Sequence, residues 1–187
     1  MNANTINIIE ALLFVSPEPL TQKKINIIFD KDPPKLNECI ERLSKKFKND
    51  NHPIDILNIA GGYQLRTKPE YDLYVRRLLN KTGQLRLSQA ALETLSIVAY
   101  KQPISRIDIE AIRGVDCAGV IKTLLKKVLV RIKGREDGPG RPLMYSTTDG
   151  FLQSFGLSRL ADLPKLKEIS EILDEQPALT EQIDAFK

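Results

Sequence analysis

Apolar positions along this chain fall into two successive sets with the same order of periods. Ile8-Ile9-Glu10-Ala11-Leu12-Leu13-Phe14-Val15 opens the first set as an apolar-rich helix, and Ala91-Leu92-Glu93-Thr94-Leu95-Ser96-Ile97-Val98 opens the second. Each is followed by a proline, an aliphatic residue and a hydroxyl residue: Pro19-Leu20-Thr21, and Pro103-Ile104-Ser105 84 residues later. A hydroxyl ahead of a helical pattern is an N-cap, and an aliphatic residue before it is a hydrophobic staple. Short second helices are expected over Gln22 to Phe29 and Arg106 to Ile112. Longer third helices follow, with Leu36, Ile40, Leu43 and Phe47 on one face in the first set, and Val120, Ile121, Leu124, Leu125 and Val128 in the second. Alternating strands around glycines then read as hairpins, 54–59 with 63–67 and 129–133 with 143–147. Final helices are expected over Tyr71 to Leu79 and Asp149 to Phe155.

Helix, helix, helix, hairpin is the order of a winged helix, here repeated. The expected fold class is mainly α with small β-hairpins (α+β), built as two tandem winged-helix domains over residues 1–80 and 84–160. The junction falls near Lys81-Thr82-Gly83-Gln84. An acidic tail, 161–187, carries one short amphipathic segment marked by Leu166, Ile169, Ile172 and Leu173.

Composition adds bounds. Of 187 residues, 42 % are hydrophobic and 28 % charged, enough apolar content for packed cores. No run approaches the roughly 18 apolar residues of a spanning helix, so no membrane association is expected. The start, Met1-Asn2-Ala3-Asn4-Thr5, lacks the marks of a secretory signal, and a cytoplasmic location is expected. Cys39 and Cys117 stand far apart and His52 is the sole histidine, expected to be solvated beside Pro53. No metal site, cofactor or disulfide is expected from such a set. The net charge of +4 is unevenly spread: residues 1–80 carry 12 basic and 10 acidic groups, 81–160 carry 13 and 7, and 161–187 carry 3 and 7. A basic middle permits contact with nucleic acid without requiring it.

The run Gly134-Arg135-Glu136-Asp137-Gly138-Pro139-Gly140-Arg141-Pro142 invites a phosphate-loop reading, but a strand follows it rather than a helix, and it lacks a G-K-[ST] ending. A hairpin wing is the expectation. Lys122 and Lys126, with Lys127 beside them, place basic groups on the third helix of the second set. Groove readers more typically use Arg, Asn or Gln there, and Glu38 and Glu41 on the matching third helix of the first set repel phosphates. Sequence-specific DNA reading is therefore not expected. No G-x-S-x-G elbow appears, and His52 has no nucleophile or carboxylate partner in its local sequence, so no enzyme is expected.

The stretch Leu87-Ser88-Gln89-Ala90-Ala91-Leu92-Glu93-Thr94-Leu95-Ser96-Ile97-Val98-Ala99-Tyr100-Lys101-Gln102-Pro103-Ile104 resembles the bacterial segregation and condensation protein B family. Ile109 to Val115, Gly140 to Tyr145, Ile9 to Phe14 and Gly61 to Thr67 extend the resemblance over roughly residues 6–160. Cys117 and Ala118 depart from it, standing where the family more often has polar residues. The resemblance implies a non-enzymatic homodimer, joined largely through its amino-terminal domains. It also implies binding to the kleisin subunit (segregation and condensation protein A type), and through it to an SMC protein, in chromosome condensation and segregation at the nucleoid. Expected dimer residues are Ile8, Ile9 and Leu12. Expected partner-binding residues in the second domain are Tyr100, Ile104, Arg113 and Val115, although Tyr100 and Ile104 read equally well as core and staple. The alternative is a DNA-binding winged-helix transcriptional regulator using the basic middle block.

Overall fold

Backbone amides at a helix start need acceptors, and this chain supplies hydroxyls at four such starts. Thr21 accepts from Lys24 N at 3.3 Å and Ser105 from Asp108 N at 3.2 Å; Ser88 and Thr148 do the same for Ala91 and Phe151. The computed structural model describes residues 3–49, 52–79, 87–137 and 140–165. The first winged-helix unit comprises α1 (Ala3–Val15), α2 (Gln22–Ile28), α3 (Leu36–Asn49), β1 (Ile54–Ile59), β2 (Gly62–Thr67) and α4 (Asp72–Leu78). The second comprises α5 (Gln89–Lys101), β3 (Ile104–Ser105), α6 (Arg106–Arg113), α7 (Ala118–Lys126), β4 (Val130–Arg135), β5 (Leu143–Thr147) and α8 (Asp149–Phe155). The junction at 81–84 and the segment beyond Lys165 lie outside the described residues.

Buried side chains collect in two clusters. Ile9, Leu13, Ile25, Leu36, Cys39, Ile40, Leu43 and Phe47 fill the first; Leu95, Val98, Ile109, Cys117, Ile121, Leu124, Leu129, Tyr145 and Phe151 fill the second. Leu36, Ile40, Leu43 and Phe47 all point inward, as their spacing requires. Val128 does not. α7 stops at Lys126, and Val128 takes a φ of +57° with its side chain exposed, so its place on the expected helical stripe is corrected. The chain has to reverse there so that Leu129 enters the core and β4 meets β5. The amide of Leu129 donates to Leu124 O at 3.1 Å, and the Thr148 hydroxyl donates to Val128 O.

The proline–aliphatic–hydroxyl element has a second role beyond capping. Leu20 exchanges both backbone hydrogen bonds with Tyr63, at 2.8 and 2.9 Å, and Ile104 pairs antiparallel with Tyr145. In the second unit the pairing continues to Ser105 and Met144, giving a three-stranded sheet ordered β3-β5-β4. The segment thus ties the helices to the wing hairpin in both copies. His52 is corrected as well: it stacks on Phe47 with ring centroids 4.7 Å apart and its Nδ1 is buried, because the chain folds back at the end of α3 to begin β1. Between the units, the β1–β2 turn meets the chain that follows α8. Ala60 N and Gly61 N donate to Leu157 O and Ser158 O at 2.9 and 3.0 Å, and the Ser158 hydroxyl donates to Asn58 Oδ1.

Two glycines separate crowding from backbone strain. A Cβ on Gly62 would stand 2.9 Å from Leu20 O and 3.0 Å from Pro19 Cβ, both held by the Leu20–Tyr63 pairing. Gly140 has open space around it but a φ of +77°. Gly62→Ala is expected to lower stability by about 1–3 kcal/mol through overpacking. Gly140→Val should cost about 1–2 kcal/mol through the left-handed backbone alone. Urea unfolding of the full chain measures both, and a neutral Gly62→Ala would show that the pairing yields at no cost.

Candidate protein-binding site

The second unit carries a groove of about 470 Å³ between α6, α7 and the wing. Ile107, Ile121, Leu125, Leu143 and Tyr145 line it with carbon, while Arg106 and Lys122 bring positive charge to the same opening. Helix periodicity produces the floor: Ile121 and Leu125 are four residues apart on α7, so both face the wing. Pro142 and Gly140 form the wing side. The shape suits an apolar segment with acidic flanks.

A tight corner holds α6 against α7. Gly114 ends α6 with a φ of +73°, and its amide donates to Glu110 O at 2.8 Å. The Glu110 carboxylate then receives the Cys117 amide at 3.2 Å and lies 3.6 Å from Arg106 Nε. That amide bond is the main cause holding the Glu110 carboxyl below its ordinary range. Burial opposes it, and Arg106 adds to the lowering. The Cys117 thiol is pushed up to about 11, first by burial and then by the adjacent Glu110 charge. A thiol with so little thiolate at neutral pH is a packing residue rather than a nucleophile.

The four residues expected to bind a partner do not share one surface. Val115 is exposed at 54 %, on the corner after Gly114. Arg113 is not: its side chain is 8 % exposed, and Nη2 donates to Glu93 Oε2 at 3.2 Å on α5. Its Nε meets no acceptor among the described residues. Ile104 is 6 % exposed, held in the core by β3 pairing, so it offers a partner little side-chain surface. Tyr100 is partly exposed, and its hydroxyl donates to Pro164 O at 2.7 Å. Seven residues of helix separate Glu93 from Tyr100, about 10 Å along α5, which parts the Arg113 corner from the Tyr100 end. Of the groove residues, Ile107 and Leu143 carry no binding signal in the sequence, and Leu125 reads there only as part of the third-helix stripe. Their signal, an exposed aliphatic residue on α6 beside a third helix and wing, shows only when the hairpin folds back.

In the first unit Ile9 is 0 % exposed and belongs to the core, whereas Ile8 reaches the surface and Leu12 is half-buried. Larger apolar surface lies elsewhere. Phe14 and Val15 end α1 exposed, and Leu73, Tyr74 and Leu78 stand exposed on α4, followed by Leu79. The run Leu73 to Leu79 has apolar residues on more than one helix face, which was the available signal for this exposed apolar surface.

The class the fold defines is a duplicated winged helix, here with an apolar, basic-edged groove on its second unit. Residues 7–166 match the family described as "Segregation and condensation complex subunit ScpB". The chain is 46 % identical over 178 residues to segregation and condensation protein B of Syntrophotalea carbinolica, covering 95 % of this chain and 90 % of that one. The crystal structure of ScpB from Mycobacterium tuberculosis is 28 % identical, spans 84 % of this chain and 98 % of its own, and has a TM-score of 0.39. A dimer of an ScpB N-terminal domain complexed with an ScpA peptide is 26 % identical over 40 % of this chain and 94 % of its own, with a TM-score of 0.36. The chain belongs to the segregation and condensation protein B family.

The corner around Glu110 makes stability depend on pH in a defined sense. Because the folded carboxyl is lowered from 4.5, its contribution is complete above that value and is lost as pH falls through the folded pKa. Glu110→Gln should therefore be less stable than the native chain at neutral pH, and the gap should close on acidification below pH 4.5. Thermal melts of both proteins across pH 3 to 7 read this; a gap independent of pH would remove the charge from the explanation.

Proposed function

We propose that this chain is a non-enzymatic structural subunit of a bacterial SMC–kleisin complex. It forms a homodimer through its first winged-helix unit, binds the kleisin (ScpA) with its second, and thereby takes part in chromosome condensation and segregation at the nucleoid. The observation that carries the reading is the groove between α6, α7 and the wing, since its apolar floor and basic edge fit an apolar peptide segment with acidic neighbours. Family membership over most of the chain supports it. Val115 and the exposed part of Tyr100 extend the binding surface beyond the groove, with Arg113 fixing the α5–α6 corner rather than reaching the partner. The dimer draws on Ile8 and Leu12 together with the exposed apolar residues of α4, because a unit of some 80 residues covers its own apolar surface incompletely.

Lys122, Lys126 and Lys127 stand exposed along α7, and this favours a second reading, contact with DNA phosphates without sequence choice. Salt separates the two, since phosphate contacts weaken steeply with ionic strength and apolar burial does not.

Ile107→Asp is expected to weaken kleisin binding about tenfold or more while leaving the fold intact, because Ile107 lines the groove yet is itself exposed. Val115→Asp tests the corner in the same assay. Titration calorimetry with the purified kleisin, at low and high salt, is the measurement. Unchanged affinity in both variants would place the partner elsewhere.

The native chain should show the mass of two copies by light scattering. Leu78→Asp, at an α4 position that is 82 % exposed, should bring it toward one copy. A single-copy mass for the native chain at high micromolar concentration would end the dimer reading.

A further inference from the structure

The tip of the first wing makes contacts that its own hairpin does not need. β1 and β2 turn at Ala60-Gly61, where φ is +50° and +71°. The two central amides of such a turn find no acceptor inside the hairpin, and a buried amide needs one. Both acceptors lie in the second unit: Ala60 N donates to Leu157 O at 2.9 Å and Gly61 N to Ser158 O at 3.0 Å. Beside them the Ser158 hydroxyl donates to Asn58 Oδ1 at 3.0 Å. These acceptors follow α8 directly, where Gly156 turns the chain with a φ of +68° and Leu157 packs against the second core.

Ile59 adds an apolar part to the contact. It is 1 % exposed, yet it belongs to neither core cluster. Side chains alternate along a strand, so Ile59 faces away from Ile56, which does lie in the first core. Ala60 holds left-handed backbone without being glycine, a conformation that persists where its surroundings fix it. The contact is nevertheless small. A cleft of about 160 Å³ opens next to it, lined by Pro19, Thr21 and Lys24 of the first unit and by Asp149 and Gln153 of α8. Each unit has a core of its own. Units built this way and joined by little surface move against each other once the contact is released.

We propose that the tip of the first wing is a latch between the two units. Closed, it clamps the Ala60-Gly61 turn onto the chain after α8, covers Ile59, and fixes the direction in which the second unit's groove faces. Open, it lets the units swing while both stay folded. The latch does not depend on what fills the groove.

Hydrogen exchange on the native full-length chain reads the latch directly. The Ala60 and Gly61 amides should exchange about tenfold or more slower than the same turn in a free peptide. They should also exchange at least about tenfold faster than the amides of Leu43 and Leu124, which are buried mid-helix in the two cores. Exchange at the free-turn rate means that no latch forms, and exchange as slow as in the cores means that it opens only by unfolding; either overturns the proposal. Ile59→Asp should bring both tip amides to the free-turn rate with Leu43 and Leu124 unchanged. Orientation is read by spin labels at Lys45→Cys on α3 and Lys126→Cys on α7, diluted with excess unlabelled chain. The native Cys39 and Cys117 are buried and stay unlabelled. One narrow distance is expected with Ile59 in place and a broad spread with Ile59→Asp. A broad spread in both, or a narrow distance in both, overturns the latch, and the exchange rates of the unmutated chain decide the matter even where Ile59→Asp fails to fold.

Discussion

The structure depends most on one short pairing made twice: a proline-led aliphatic residue crossing a tyrosine on the wing. Leu20 against Tyr63, and Ile104 against Tyr145, bring a helix-connecting segment into backbone contact with a hairpin more than 40 residues later. Without it, the helices and the hairpin would be joined only by side-chain packing, and a two-stranded ribbon alone is marginal in water. With it, Leu20 and Ile104 are buried, the following hydroxyls are aimed to cap α2 and α6, and the third helix is held beside the wing. The groove between α6, α7 and the wing is the space this arrangement leaves open.

The two copies solve the same packing problem with different materials. In the first, β2 begins at Gly62, and the close approach of Pro19, Leu20 and Thr21 excludes a side chain there. In the second, Met144 holds the corresponding place and the pairing lengthens into a strand. Start sites of the third helices differ too. Gln22 Oε1 accepts from Leu36 N at 2.7 Å in the first unit, whereas Glu110 accepts from Cys117 N in the second. A neutral amide suffices in one corner, while the other uses a carboxylate and thereby ties part of the second unit's stability to its ionisation.

The surfaces divide by chemistry. Apolar exposure in the first unit lies at the end of α1, on α2 at Ile27 and Ile28, and on α4; in the second, part of it lies in grooves beside α7 and α5 and part on Ile112, Val115, Val128 and Ile132. Contiguous apolar surface of this kind is where a helical protein meets a partner or its own chain. Charge plays a different part: Arg113 is sequestered with Glu93, and the lysines of α7 stay in water, where they steer encounters more than they hold complexes.

Periodicity was enough to read the helices and hairpins, because the spacing of Leu36, Ile40, Leu43 and Phe47, or the alternation around Gly61-Gly62, is a local property that burial of one face imposes on any sequence. The duplicated proline–aliphatic–hydroxyl element was legible as a cap for the same reason. Its strand role was not, since two residues are too short to show a period and their partners lie some 40 residues away. The site followed the same division. Val115 and Ile8 are exposed, but Ile9, Ile104 and Arg113, adjacent to them in sequence or equal in apparent importance, turn inward. Neighbours on a helix point about 100° apart, and a cation is buried or free according to whether a carboxylate such as Glu93 comes within reach. Sequence alone determined the order of elements, the duplication and the family pattern; which apolar residues became core and which became surface was decided only when two distant segments closed on each other.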